Sequence, residues 1–187
     1  MLISAQITVW NTHSRIETST AVAHIKEWGS LTPAVTIKSP FITDSPTSAT
    51  TNVDLDSPDE LSVRSLLLGI VHRTAGEYTS ARAFLIDAHK RHAEFTNSTW
   101  VGGIALFEMA VLELKEADAA TTNTASSASP AETKTTWTVA LKKAGAVLDQ
   151  ALALAMSNNA DLSSRLDSRI AMLRDEIAMK KEMIGIV

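Results

Sequence analysis

Cysteine is absent from this chain, which excludes disulfides, thiolate catalysis and cysteine-ligated zinc together and fits a reducing compartment. Aromatic residues are scarce, at 5%, while alanine is abundant. That mixture suits close-packed helices better than the aromatic, β-branched strands of a sandwich. Positive charge is not in excess: 17 Lys and Arg face 21 Asp and Glu, for a formal net charge of −4 and a pI near 5.7. With no broad positive field to draw in phosphate backbones or anionic lipid, nucleic acid is not an expected partner. Long apolar runs are missing too. No stretch approaches the roughly 18 residues of a membrane-spanning helix, and the opening MLISAQITVWN lacks the basic start and continuous apolar core of a signal peptide. A cytoplasmic setting is the expectation. Asn97-Ser98-Thr99 fits a glycosylation acceptor, but without an export signal it reads as a chance match.

What is present is apolar content, 45% hydrophobic over 187 residues, enough for one domain with a real core. The expected fold class is all-α. Residues 1–28 read as an N-terminal helical segment, with Ile3, Ile7, Trp10, Ile16, Ala23 and Ile25 at spacings an irregular helix can use, although Ser and Thr weaken the propensity. Residues 29–56 carry Pro33, Pro40 and Pro46 among Ser, Thr and Asp and read as a linker, extended or mobile. Residues 57–187 form the helical domain. Ser57-Pro58-Asp59-Glu60 is an N-terminal capping signal, and Leu61, Leu67, Leu68 and Val71 follow on one stripe. Ala75-Gly76-Glu77 breaks that helix at a left-handed turn, and residues 78 to 92 resume with Ala81, Leu85 and Ala88 inward. A third helix is expected from about Trp100 to Ala117, and residues 119–129, rich in Ala, Thr and Ser, read as a disordered insertion. Ser129-Pro130-Ala131-Glu132 repeats the capping grammar and restarts a helix that ends near Ser157. Asp161 is the expected cap of a last helix with Leu162, Leu166, Ile170, Leu173, Ile177 and Met183 on one face, which closes the stack.

The two helices around Gly76 carry a spacing. Ser65-x-x-Leu68-Gly69-x-x-His72 is followed by Ala81-x-x-x-Leu85 and Ala88, with twelve residues from Gly69 to Ala81. This matches the tetratricopeptide pattern W-x-x-L-G-x-x-Y, then A-x-x-x-F. The small side chains of Gly69 and Ala81 let antiparallel helices approach, while Leu68 and Leu85 fill the space beside them. Ser65, His72 and Leu85 depart from the pattern's Trp, Tyr and Phe, and Ala93 falls about where its terminating Pro is expected. Leu106-x-x-Met109-Ala110-x-x-Glu113 resembles the first half of another repeat, and Ala144-x-x-x-Leu148 with Ala151 its second half, split by an insertion. The expected architecture is therefore antiparallel helix pairs of the tetratricopeptide-like α-solenoid type with a C-terminal closing helix. Two repeats are few for such a stack, so the N-terminal helix or another chain must complete it.

The stretches DELSVRSLLLGIVHRTAGEYTSARAFL, WVGGIALFEMAVLEL and DLSSRLDSRIAMLRDEI together resemble the C-terminal part of the fungal inclusion body clearance proteins, related to the animal tetratricopeptide repeat protein 39 group, over roughly residues 59 to 178. The resemblance implies a C-terminal piece or truncated relative of a longer protein, acting as a non-enzymatic scaffold linked to clearance of misfolded-protein inclusions. It also implies cytoplasmic, nuclear, mitochondrial outer-membrane or lipid-droplet association.

No residue pattern points to catalysis, a cofactor or a metal. His89 and His92 lie one helical turn apart, but Lys90 and Arg91 between them suit a solvated helix end. His72 reads as a buried hydrogen-bonding residue or a groove contact. Glu108 and Glu113 do not share a helix face, so no carboxylate pair forms. Gly102-Gly103 lacks the strand and further glycine of a phosphate loop. Trp10, Trp28, Trp100 and Trp137 read as packing anchors, and Met172, Met179 and Met183 as core or an uncapped repeat interface rather than an adaptable binding stripe. In a tetratricopeptide-like stack the first helix of each pair lines the concave face. The candidate protein-binding groove is therefore Ile70, Arg73, Thr74, Val111, Leu114 and Lys115, with Arg73 and Lys115 placed to hold a partner's carboxylate. The alternative function is a peripheral lipid-droplet or mitochondrial-surface adaptor anchored by an amphipathic segment around Ile7 to Trp10. Self-association is left open.

Overall fold

The computed structural model describes residues 15–42, 54–94, 98–123, 129–157 and 163–186. Helices predominate, with no strand among the described residues. The α-helices are α1 (Thr18–Gly29), α2 (Pro58–Thr74), α3 (Tyr78–Lys90), α4 (Trp100–Asn123), α5 (Pro130–Ser157) and α6 (Ser163–Met183), with a 3₁₀ turn at Arg91–Glu94. They divide into two compact units, within residues 1–105 and 106–187, and α4 runs through the boundary.

In the first unit α2 starts as its capping signal dictates. The Ser57 hydroxyl accepts the Glu60 N–H at 3.2 Å, the Glu60 carboxylate accepts the Ser57 N–H at 3.4 Å, and Pro58 opens the helix. The helix stops at a Schellman turn. The Glu77 N–H reaches the His72 carbonyl at 2.9 Å and the Gly76 N–H the Arg73 carbonyl at 3.1 Å, while Gly76 sits at φ 82°, where a side chain is strained. The next helix then crosses closely: a Cβ on Gly69 would lie 2.7 Å from Cγ of Leu85. Ala81, Leu85 and Ala88 are fully buried on the facing side. The first helix presents Ala21, Ile25 and Gly29 inward, one turn apart, and Ala21 and Ile25 join Leu68, Val71 and Phe84 in a core cluster. Burial of side chains of this size contributes about 1.5–3 kcal/mol each.

Part of the stretch expected as a linker is held. Residues 30–42 form a loop of bends and turns without helix or strand, and Val35, Ile37, Phe41 and Ile42 pack against that core cluster. Arg64 Nη1 donates to the Leu31 and Pro33 carbonyls, each at 2.8 Å. His72 is fully buried, and its Nδ1 lies 2.7 Å from the Leu68 carbonyl. A carbonyl only accepts, so Nδ1 carries the proton and Nε2 accepts the Ser39 hydroxyl, also at 2.7 Å. Residues 43–53 lie outside the described residues, as do residues 1–14 with Ile3, Ile7 and Trp10 and hence the segment expected as an anchor.

Burial pushes the His72 imidazole below its ordinary value of 6.5, against the opposing pull of the Leu68 carbonyl and the Glu77 carboxylate. The other groups facing it are the Ser39 hydroxyl and the Phe41 and Phe84 rings. The unfolded chain therefore takes up a proton at a higher pH than the fold does. His72's contribution is fully present above about pH 6.5 and is lost as pH falls through the lower, folded value. Urea titrations at pH 7.5 and 5.5 are expected to show a loss of stability that His72→Gln abolishes. An equal loss in the variant would place the titration elsewhere.

In the second unit the inward residues recur at alternating steps of four and three: Trp137, Leu141, Ala144, Leu148, Ala151 and Ala155 on α5, and Leu166, Ile170, Leu173 and Ile177 on α6. Two helices with such seams pack along them, and α5 and α6 do. The Lys134 ammonium donates to the Gly185 carbonyl at 2.9 Å, and Arg174 pairs with Asp149. The second capping box forms as expected, with the Glu132 N–H on the Ser129 hydroxyl at 3.2 Å and the Ser129 N–H on the Glu132 carboxylate at 2.7 Å. Part of the stretch expected as a disordered insertion is helical. Residues 119–123 continue α4, because alanine is a strong helix former and the Thr121 hydroxyl bonds back to the Ala117 carbonyl at 2.8 Å. Residues 124–128 lie outside the described residues, as does Asp161.

Candidate partner-binding groove

The second unit holds a groove of about 390 Å³ between α4, α5 and α6. The helical repeat builds two of its walls. Val111, Leu114, Lys115 and Asp118 step along α4 at i, i+3, i+4 and i+7, and Leu173, Glu176, Ile177 and Lys180 do the same along α6. Trp137 and Leu141 of α5 lie at the bottom, where Trp137 is 8% exposed. The Lys180 ammonium sits 4.0 Å from the centre of the Trp137 ring, joining the α6 wall to α5. Met179 and Met183 form the rim and stand 57% and 78% exposed.

The walls are braced from below. The Arg169 guanidinium on α6 donates to the Glu108 carboxylate on α4 at 2.8 Å and lies 4.2 Å from the centre of the Phe107 ring. Lys143 of α5 is 3.9 Å from Glu113 of α4. Glu108 and Glu113 thus face different helices, as their five-residue step requires. The groove itself carries Lys115 and Lys180 against Asp118 and Glu176, so its charge is balanced. The groove offers apolar surface with polar groups of both signs at its edges.

Of the six residues expected to form the groove, Val111, Leu114 and Lys115 line it. Ile70, Arg73 and Thr74 do not, and they belong to the first unit. Ile70 and Arg73 are 4% and 7% exposed, and the Thr74 hydroxyl donates to the Ile70 carbonyl at 3.1 Å. Arg73 is thus not an exposed cation in this conformation, since α2 is buried on nearly every side. Sequence reasoning passed over Trp137, Leu173, Ile177, Met179, Met183 and Lys180 as groove residues. Met183, expected on the inward face of α6, is instead exposed with Met179, and both lie outside the buried stripe of that helix. Trp28 packs on the core of the first unit, with its ring 4.9 Å from that of His24.

Among the described residues no three His, Cys, Asp or Glu side chains gather as a metal-holding group. The His89–His92 pair is only partly covered, since the side chain of His92 lies outside the described ones. Gly102 and Gly103 are buried in the first turn of α4. No described helix is long and apolar enough to cross a membrane. No protein-family model, curated protein or solved structure matches the chain.

Proposed function

We propose that this chain is a non-enzymatic helical scaffold of the tetratricopeptide-like type, and that the groove of the second unit docks the apolar face of an amphipathic helix from a partner protein. The observation that carries this reading is the 390 Å³ apolar groove with methionines at its rim. Its walls are helices whose backbone groups bond to one another, so they offer no main-chain donors to an extended peptide. A helical ligand satisfies its own backbone and needs only apolar contact. From Leu173 to Met183 the α6 wall spans about 15 Å at 1.5 Å per residue, room for three turns with anchors at i, i+3 or i+4, and i+7. Methionine side chains repack around different anchors, which suits a scaffold with several partners.

The repeat type draws on the close crossing at Gly69 and Leu85. Antiparallel pairing of α5 with α6 draws on contacts that join the start of one to the end of the other, Lys134 to Gly185 and Lys180 to Trp137. The link to clearance of misfolded-protein inclusions, with cytoplasmic, nuclear, mitochondrial-surface or lipid-droplet association, rests on the resemblance of residues 59 to 178.

Selection from a library of amphipathic helical peptides against the full chain tests the docking site. Recovered peptides are expected to share apolar residues at helical spacing and to bind Leu114→Asp at least tenfold more weakly, with Lys142→Ala unchanged. Equal binding to Leu114→Asp overturns the reading, and so does a chain whose groove is closed by a second copy in sedimentation.

A further inference from the structure

The segment of residues 31–41 in the first unit is seated on α2 and α3 as a peptide ligand is seated on a receptor. Its exposure alternates: Val35, Ile37, Ser39 and Phe41 are partly buried, while Ala34, Thr36, Lys38 and Pro40 are exposed. Beside its apolar packing, α2 and α3 take three of its main-chain carbonyls, which any sequence supplies. Arg64 takes those of Leu31 and Pro33, and the Ser80 hydroxyl donates to that of Lys38 at 3.1 Å. Side chains are read as well: the Ser39 hydroxyl on His72 Nε2, and the apolar Val35, Ile37 and Phe41 on the core cluster.

The segment fills this face incompletely. Under residues 33 to 37 lies a cavity of about 210 Å³, walled on the helix side by Leu61, Ser65, Phe84 and the charged trio Arg64, Asp87 and Arg91. Asp87 accepts from Arg91 at 3.1 Å and from Ser65 at 2.7 Å. Burial and then the nearby Arg91 raise the cost of keeping Arg64 charged, while Asp87 opposes them. The cavity lining thus sets two guanidinium groups against one carboxylate.

We propose that the α2–α3 face is a second binding site, for an extended peptide of a partner protein with apolar residues at alternate positions and a carboxylate that enters the cavity against Arg64 and Arg91. Such a peptide displaces residues 31–41, which place the neutral Val35 there. The site lies in the first unit, and it suits a ligand with free main-chain carbonyls because Arg64 and Ser80 donate to such groups there.

The test uses labelled synthetic peptides of residues 30–42 carrying Val35→Glu or Val35→Gln, titrated into the full chain and into an Ile37→Ser, Ser39→Ala chain whose own segment is loosened. The Glu peptide is expected to bind at least tenfold more tightly than the Gln peptide. That advantage should shrink in 0.5 M salt and vanish with Arg91→Gln, and amide exchange at residues 34 to 38 of the wild-type chain should rise on binding. If the two peptides bind alike, or neither binds nor alters exchange in the wild-type chain, the proposal is wrong. A buried glutamate without a cationic site predicts the reverse order, since the carboxylate then costs more to desolvate than the amide.

Discussion

Arg169→Ala is expected to lower the stability of the second unit by roughly 3–5 kcal/mol, read as a shift in its urea midpoint. The side chain of Glu108 is 2% exposed and that of Arg169 18% exposed, with 2.8 Å between them. Removing the cation leaves the carboxylate in a medium where a charge is poorly solvated, and it also strips the guanidinium from the Phe107 ring. Glu108→Gln is expected to cost less, because the amide needs no counter-charge. The double variant Glu108→Gln with Arg169→Met is expected to recover most of the loss, which distinguishes a stranded charge from a lost packing contact. A loss under 1 kcal/mol on Arg169→Ala would show that water reaches Glu108 and that the brace is weak.

Gly69→Val is expected to destabilise the first unit by on the order of 3 kcal/mol. Replacing glycine inside a helix ordinarily stabilises it by a few tenths of a kcal/mol or more. Here the added Cβ meets Cγ and Cδ2 of Leu85 at 2.7 Å and its backbone nitrogen at 3.2 Å. Cδ2 can rotate away, but Cγ and the backbone cannot without parting the two helices. Leu85→Ala alone leaves a cavity and costs about 2–5 kcal/mol. Combined with Gly69→Val, the new methyl groups occupy that space, so the double variant should be clearly more stable than the sum of the two losses. Strict additivity would mean that the crossing is not the source of the strain.

Both effects bear on what could be read from the chain alone. Helical character was legible because its signals are local: Ser57-Pro58-Asp59-Glu60 and Ser129-Pro130-Ala131-Glu132 each cap within four residues, and Gly76 turns the chain where its pattern breaks. The need for small residues at Gly69 and Ala81 was legible as spacing. What escaped depends on residues brought together from far along the chain. Ser39 meets His72 across 33 positions, so Pro33 and Pro40 made a seated segment look like a linker. Arg169 reaches Glu108 across 61 positions, and nothing in WVGGIALFEMAV identifies the cation that lets a glutamate be buried there. The groove was half legible. The α4 face of Val111, Leu114 and Lys115 follows from helical geometry, whereas its opposite wall of Leu173, Ile177, Lys180 and Met183 exists only once α6 is packed. Ile70 and Arg73 were assigned to a surface on the assumption that α2 has an open side, and its burial removes that assumption.

The most direct measurement is a nitrogen-15 correlation spectrum of the full chain titrated with a helical peptide selected on it. Shifts concentrated at residues 111–118 and 173–183 and at the Trp137 indole, and lost with Leu114→Asp, are the expected result. Saturable binding that leaves those resonances unmoved while perturbing another face would contradict the assignment of the groove.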